Sequence, residues 1–343
     1  MAWTVPEHSK SEVDRAGKVL VSEYTTDQAL QTALTVINNW RASHSFPLNT
    51  FQVGLRSKAR RIDDQALVAQ RIKRLSSIEL KLSRFPTMKV SQMQDIGGCR
   101  AVLRNIAQVR ELEQSYRESS IKHKPLRTDD YISSPKVSGY RGIHLIYRYF
   151  SDRSDSYNGL LIEIQMRSML QHAWATAVET VGTFLKQSLK SSQGHDEWLR
   201  FFIVMSSAIA LREKSTTVPG TSTNRSEVKA ELRKLAKSLD VRRRLQAYGD
   251  TLKALDETTA GDGQYFLMAL DPKADTITIR SYRRADLERA ASDYLAIEKS
   301  LDESTGAEAV LVSVDSIAAL KKAYPNYFLD TRAFLLALEQ AMK

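Results

Sequence analysis

Cysteine is nearly absent: Cys99 is the single one in 343 residues. That excludes an intrachain disulfide framework and a Cys-rich zinc site, and a reducing cytoplasm is the compartment that fits. Long apolar runs are missing too. Nothing approaches the roughly eighteen residues of a membrane span, so no membrane partner is expected. The opening MAWTVPEHSK has no basic region followed by an apolar one, and no signal peptide is expected. Neither a Walker A sequence nor G-x-G-x-x-G is present. If phosphates are bound, side chains rather than a glycine-rich loop do most of the holding. No fixed-period repeat and no low-complexity tract stands out.

What is abundant is positive charge, 50 Lys and Arg against 40 Asp and Glu, a net charge of +10. Such a field attracts polyanions, so RNA, DNA and nucleotides are all admitted, and so is a plain solvated basic surface. Apolar residues at 42% and charged residues at 26% are ordinary for a globular protein. The length suits two or three domains.

Apolar spacing predicts helix over 11–42, through Val13, Ala16, Val19, Leu20, Leu30, Leu34 and Ile37, with a helix-start signal at Thr26. SFPLNT at 45–50 reads as a loop. A second, strongly basic helix is expected from Ala66 to Arg84, carrying Arg71, Lys73, Arg74, Lys81 and Arg84. Strands are expected at 99–104, 142–150 and 160–167. The last alternates, with Ile162, Ile164 and Met166 on one side and Glu163, Gln165 and Arg167 on the other. Helices are expected at 107–119, 168–190, 195–212 and 227–257, with a polar break at 216–226. After TTAGDG at 258–263 come a hairpin, a helix, the buried strand AVLVSV and a final helical stretch containing AYPNYF.

Residues 129–144, DDYISSPKVSGYRGIH, gather acids, cations and aromatic rings in a mixture that suits a nucleotide better than a core. In QDIGGCRAV, Asp95 precedes a Gly-Gly bend and a strand. It reads equally as a Mg²⁺ ligand or as a turn cap. Glu163 lies among apolar strand neighbours, where an unpaired carboxylate is costly, so it pairs with Arg100 or Arg167 or binds metal. The basic stretch 71–81 reads as a phosphate-holding face or as a solvated one.

R-x-K…S-I…K, D-I-G-G-x-R, D-Y-I-x-x-P-K-x-S-G-Y-R-x-x-H and E-I-Q-x-R, in this order over roughly residues 65–180, resemble the synthetase domain of the RelA/SpoT homologues. That resemblance implies Mg²⁺-assisted transfer of the β,γ-pyrophosphate of ATP to a ribose hydroxyl. By similarity Arg71 and Arg100 sandwich the adenine, and Lys73 and Lys81 bind ATP phosphates. Asp95 and Glu163 hold Mg²⁺, and Glu163 helps deprotonate the attacking hydroxyl. Lys136, Tyr140, Arg141 and His144 form the acceptor loop, with Tyr140 stacking on the base, and Gln165 and Arg167 support the strand. Few residues precede the domain and no His-Asp cluster is seen, so product hydrolysis is not expected.

Tyr324-Pro-Asn-Tyr327 is similar to the Y-x-x-Y element of CapRel-type fused toxin–antitoxin proteins, and residues 261–343 hold no Cys and no His. This second resemblance implies a C-terminal module whose tyrosines cover the ATP site until a phage capsid protein binds. It also implies the tRNA 3′-CCA end as pyrophosphate acceptor. The plainer reading makes Tyr324 and Tyr327 packing residues of a terminal helix. The expected fold is α+β: a mixed-sheet, nucleotidyltransferase-like synthetase domain flanked by helices, plus a small α+β pseudo-zinc-finger module. The expected divisions are 1–64 helical, 65–190 synthetase, 191–260 helical connector and 261–343 regulatory. The clusters Arg56/Lys58/Arg60/Arg61 and Arg242–Arg244 would guide a tRNA acceptor stem. GTP or GDP is the alternative acceptor, in a small alarmone synthetase, and a non-catalytic nucleic-acid-binding protein is the third reading.

Overall fold

The computed structural model describes residues 3–188, 195–251, 253–256, 265–271, 276–301, 307–314, 317–325, 328 and 330–343. The N-terminal helices are α1 (Lys10–Leu20), α2 (Asp27–Ser43) and α3 (Ser45–Ile62). A reciprocal Ser9–Glu12 box starts α1, and the Thr26 hydroxyl accepts from Ala29 N at 3.2 Å to start α2. Residues 45–50 are helical, not a loop. Pro47 falls in the first turn of α3, where the backbone N–H has no intrahelical partner to lose.

Next come β1 (Leu67–Ile72), α4 (Leu75–Arg84), β2 (Gly97–Leu103), α5 (Ile106–Arg117), β3 (Lys124–Asp130), β4 (Ile143–Arg148) and β5 (Leu161–Ser168). The expected helix over 66–84 is therefore a strand followed by a shorter helix. Val68, Ala69 and Gln70 are buried in succession, so the stretch shows no clean period of two. Ladder bonds to strands on both sides decide the conformation. Arg71 consequently shares no helix with Lys81.

The chain continues through α6 (Met169–Ser188), α7 (His195–Arg212), α8 (Arg225–Ser238), α9 (Val241–Thr251), β6 (Lys253–Asp256), β7 (Tyr265–Asp271), β8 (Thr276–Tyr282), α10 (Leu287–Ser300), β9 (Glu308–Ser313), α11 (Ile317–Ala323) and α12 (Arg332–Met342). The expected helix over 227–257 is broken after Leu239 by Asp240 at φ +47, and its end is the strand β6. The expected hairpin is β7–β8.

Among the described residues, nine strands form one sheet in the order β3-β4-β5-β2-β1-β9-β7-β8-β6. β2–β5 and β6–β8 are parallel and the other pairs antiparallel, so the sheet is mixed and the protein α+β. The seam between the first five strands and the last four is β1–β9, with Gln70 opposite Ser313 and Arg71 opposite Val312.

One face of the first five strands is apolar. Cys99, Ala101, Leu103, Ile143, Leu145, Ile162, Ile164 and Met166 pack with Leu48, Phe51 and Leu55 of α3 and with Val109 and Leu112 of α5. Burial of such side chains is worth about 1.5–3 kcal/mol each and turns the alternate, polar residues to the opposite face. A second core joins Trp174 of α6, Trp198, Phe201 and Phe202 of α7, Leu232 of α8, Leu245 of α9 and Phe334 and Leu338 of α12. The last helix thus packs with α6–α9 rather than with the strands of the C-terminal sheet.

Candidate functional site

Strand register writes the polar face row by row. Arg71, Gly98 and Glu163 are neighbours across β1, β2 and β5. Ala69, Arg100, Gln165 and His144 make the next row, running on to β4. Gly98 has no side chain, which leaves room between Arg71 and Glu163. A Cβ there would stand 3.9 Å from Glu163 Oε2, and a larger group would fill the space.

Asp95 lies in the turn before β2. Its Oδ2 accepts from Lys73 Nζ at 2.6 Å and its Oδ1 from Lys81 Nζ at 3.1 Å. Burial works to raise this carboxyl, but the two ammonium groups hold it down to about 2. Glu163 is buried as well. Burial raises it, while His144 and the Gln165 amide bring it net below the usual carboxylate range, against the opposing charge of Asp95.

A chain of bonds extends from Glu163. His144 Nδ1 is 2.7 Å from Glu163 Oε1, and Gln165 Nε2 donates to Oε2 at 2.6 Å. An ionised carboxylate only accepts, so Nδ1 carries the proton. The other ring nitrogen, Nε2, lies against the Tyr140 hydroxyl. That hydroxyl accepts in turn from Arg167 at 3.0 Å, and Arg167 also reaches Gln165 Oε1 at 3.2 Å.

Tyr140 is held by the turn before β4. Gly139 has φ +90, and a Cβ there would meet Trp174 Cζ2 at 2.9 Å, so glycine suits both the conformation and the close approach. Ser206 of α7 donates to the Gly139 carbonyl at 2.6 Å. Lys136 Nζ lies 4.2 Å from the centre of the Tyr131 ring and 5.4 Å from that of Tyr140. Tyr131 makes edge contacts with both Tyr140 and His144. Tyr131 had no role in the sequence reading, although it stands inside the motif.

Arg141 turns away. It is buried against Glu213, in the turn just after α7, at 3.1 Å and also bonds Ser215, outside the Glu163–His144–Tyr140 chain. Part of the expected set lies together. Arg71, Asp95, Arg100, Glu163 and Gln165 line one cavity together with Tyr324. The cavity measures about 40 Å³, space for a few waters at most and far short of a purine.

Tyr324 forms part of its wall. The ring is 4% exposed and lies with its centre 5.2 Å from the Arg100 guanidinium carbon. Its hydroxyl donates to the Gln70 carbonyl of β1 at 3.1 Å. Arg100 also donates to the Ala323 carbonyl, and His172 of α6 lies 3.2 Å from the Lys322 carbonyl. These last carbonyls of α11 have no partner within their own helix, so Arg100 and His172 cap it. Burial, then the like charges of Arg167 and Arg71, push Arg100 down to about 10. His172 is kept neutral by burial and by Arg100 and Arg167. No local sequence signal marks His172, because its partner is 150 residues away. Tyr327 lies outside the described residues.

Two ionised carboxylates facing one cavity fit a hard divalent cation. Each retains lone pairs beyond those its present partners use, and Mg²⁺ commonly takes one or two carboxylates plus phosphate oxygens. Asp95 and Glu163 are the residues that would hold it. Among the described residues no helix is long and apolar enough to cross a membrane.

Residues 70–183 match the family described as "Region found in RelA / SpoT proteins". The chain is 30% identical over 131 residues to the GTP pyrophosphokinase YjbM of Bacillus subtilis (strain 168). That alignment covers 36% of this chain and spans 60% of the length of the curated relative. Among solved structures, small alarmone synthetase 1 from Bacillus subtilis bound to pppGpp aligns at TM-score 0.39 and 19% identity, over 63% of this chain and 98% of that one. Small alarmone synthetase 2 from the same organism aligns at 0.39 and 17%, over 60% and 97%.

Proposed function

We propose that this chain, whose residues 70–183 belong to the RelA/SpoT family, is an ATP pyrophosphokinase held inactive by its own Tyr324. The observation that carries the reading is one cavity shared by Asp95, Glu163, Arg71, Arg100 and that tyrosine. Arg71 and Arg100 take the adenine by stacking and charge, in the place Tyr324 occupies. Lys73 and Lys81 take the phosphates. An acceptor hydroxyl attacks the β-phosphorus of ATP. The new bond joins that oxygen to phosphorus, the bridge to the α-phosphate breaks, and AMP leaves.

Glu163 receives the hydroxyl proton, and Gln165 and His144 keep its carboxylate aimed. Tyr140 and Arg167 fix His144 in turn. Bound Mg²⁺ would add charge neutralisation on the phosphate oxygens at Asp95 and Glu163. Catalysis of this kind is mostly positioning and charge stabilisation. A base stacking on Tyr131 or Tyr140 supplies roughly 1–3 kcal/mol of acceptor binding.

For the acceptor we assign the 3′-CCA end of tRNA, which makes the chain a toxin of translation. Arg60 and Arg61 at the end of α3 and Arg242, Arg243 and Arg244 of α9 are exposed and basic, the chemistry that an RNA backbone requires. Following the CapRel resemblance, a phage capsid protein is the trigger that draws Tyr324 away, which makes the whole an anti-phage device. A guanosine nucleotide is the second reading, favoured by the likeness to a GTP pyrophosphokinase.

The experiment incubates labelled ATP with bulk tRNA or with GDP, using the intact chain and its Tyr324→Ala variant. A point substitution is preferred to truncation because α12 is part of the α6–α9 core. Label on tRNA, increased in the variant, is the expected result. Label on GDP alone overturns the tRNA assignment, and label on neither overturns the enzymatic reading.

A further inference from the structure

Three consecutive residues lead from β1 into α4, the helix that carries Lys81, and each is tied to a residue distant in sequence. The Lys73 carbonyl accepts from Arg41 Nε of α2 at 3.0 Å. Arg74 pairs with Glu308 of β9 at 2.5 Å. The Leu75 amide donates to Glu298 Oε1 of α10 at 2.8 Å.

The sequence explains the third bond. The N-cap of α4 is Arg74, which makes no side-chain capping bond. A helix beginning this way leaves its first N–H groups orphaned. Glu298 supplies the missing acceptor across 223 residues, with its negative charge at the positive end of the helix.

The carboxylate is itself fixed. Arg41 reaches its two oxygens at 3.0 and 3.2 Å. The Tyr294 hydroxyl donates to Oε1 at 2.6 Å and accepts from Arg41 at 2.8 Å. Arg41 is 2% exposed and also donates to Asn38 Oδ1 at 2.9 Å. Pulling such a pair apart would leave a buried charge on each side. The contacts described around Tyr324, its ring beside Arg100, its hydroxyl on Gln70 and the Lys322 and Ala323 carbonyls on His172 and Arg100, include no pair of opposite charges.

We propose that Glu298, together with Arg41 and Glu308, positions the two phosphate-binding lysines, so that α10 and β9 are part of the working site and only the segment around Tyr324 is inhibitory. The proposal rests on the pyrophosphokinase reading. Opening is then a local movement between two anchors that stay docked. β9 remains paired to β1, and α12 remains packed on α6–α8. A trigger need not pull the whole C-terminal module off the sheet. It has to lift one strap.

The test places Glu298→Ala, Glu298→Gln and Tyr294→Phe in the Tyr324→Ala background, with circular dichroism as the check on folding. Glu298→Ala raises the KM for ATP about tenfold while kcat stays within about twofold. It also speeds amide exchange over residues 75–78. Glu298→Gln keeps an acceptor for Leu75 N and recovers part of both effects. Tyr294→Phe removes one hydroxyl and shifts KM about threefold in the same direction.

Unchanged KM and unchanged exchange in Glu298→Ala would overturn the proposal. So would higher turnover of Glu298→Ala than of the wild type when Tyr324 is present, since Glu298 would then be an inhibitory contact. ATP affinity by calorimetry reads the same shift without turnover. A chain that binds ATP with the expected shifts but moves no pyrophosphate counts against the proposed function and not against this positioning.

Discussion

On one side of the sheet face, Tyr140, His144, Glu163, Gln165 and Arg167 bond to one another, all within 28 residues of sequence. Further along the same face, Arg100 meets Tyr324, which arrives from 224 residues away. The acceptor side is completed by its own neighbours. The donor side is completed by a guest. In the proposed function, such a site is switched without disturbing its catalytic groups, because the part that moves takes no role in the chemistry.

The largest effect that breaks the comparison is at Glu163. Glu163→Gln keeps the shape of the side chain but removes the proton acceptor, and its NH2 faces one of the two donors, His144 or Gln165. Pyrophosphate transfer by the Tyr324→Ala chain falls about a thousandfold, read by labelled AMP release on protein whose fold is checked by circular dichroism. A loss under about tenfold would move the proton acceptor elsewhere.

Arg141 sharpens where the acceptor side ends. It adjoins Tyr140 in sequence, yet its guanidinium is buried on Glu213. Arg141→Ala costs about 3–5 kcal/mol of stability by stranding that carboxylate, seen as a lower denaturant midpoint. The KM for acceptor in the folded fraction stays near wild type. A selective rise in acceptor KM without destabilisation would return Arg141 to the acceptor loop.

Asp95 gives the next effect, through pH. Its carboxyl is lowered from 3.8 to about 2 by Lys73 and Lys81, despite burial. A depressed carboxylate contributes stability above its unfolded value and loses it as pH falls through the folded one. The contribution of about 2 kcal/mol is thus complete above about pH 4 and fades between about pH 4 and 2. The stability difference between wild type and Asp95→Asn should shrink across that interval and stay flat from pH 5 to 8. The smallest effect is at Tyr140. Tyr140→Phe removes the hydroxyl between Arg167 and His144 and lowers kcat about fivefold, with a smaller change in acceptor KM.

How much of this could be read beforehand follows the range of each interaction. β5 was plain from its alternation, since one face is apolar and the other holds Glu163, Gln165 and Arg167. The two acids read as metal ligands and the basic residues around them stand in contiguous motifs, and Asp95, Glu163, Arg71 and Arg100 line one cavity. Residues 66–84 misled, because Val68 to Gln70 are buried in a row and basic residues continue from β1 into α4. Pro47 looked like a breaker but occupies a helix first turn, where proline does no harm. The cap on α4 was invisible locally, since Arg74 offers none and Glu298 is remote. Arg141 had the sequence neighbours of an acceptor group, and only the position of Glu213 reveals its packing role.

The central claim is that Tyr324 occupies the place of the ATP base between Arg71 and Arg100. Calorimetric titration of ATP, with Mg²⁺, into the wild type and into Tyr324→Ala tests it directly. Loss of one ring–cation contact and one hydrogen bond favours the open state by about 1–3 kcal/mol, so ATP should bind the variant about five- to a hundredfold more tightly. Equal affinity in the two proteins, with Tyr324→Ala folded, would contradict it.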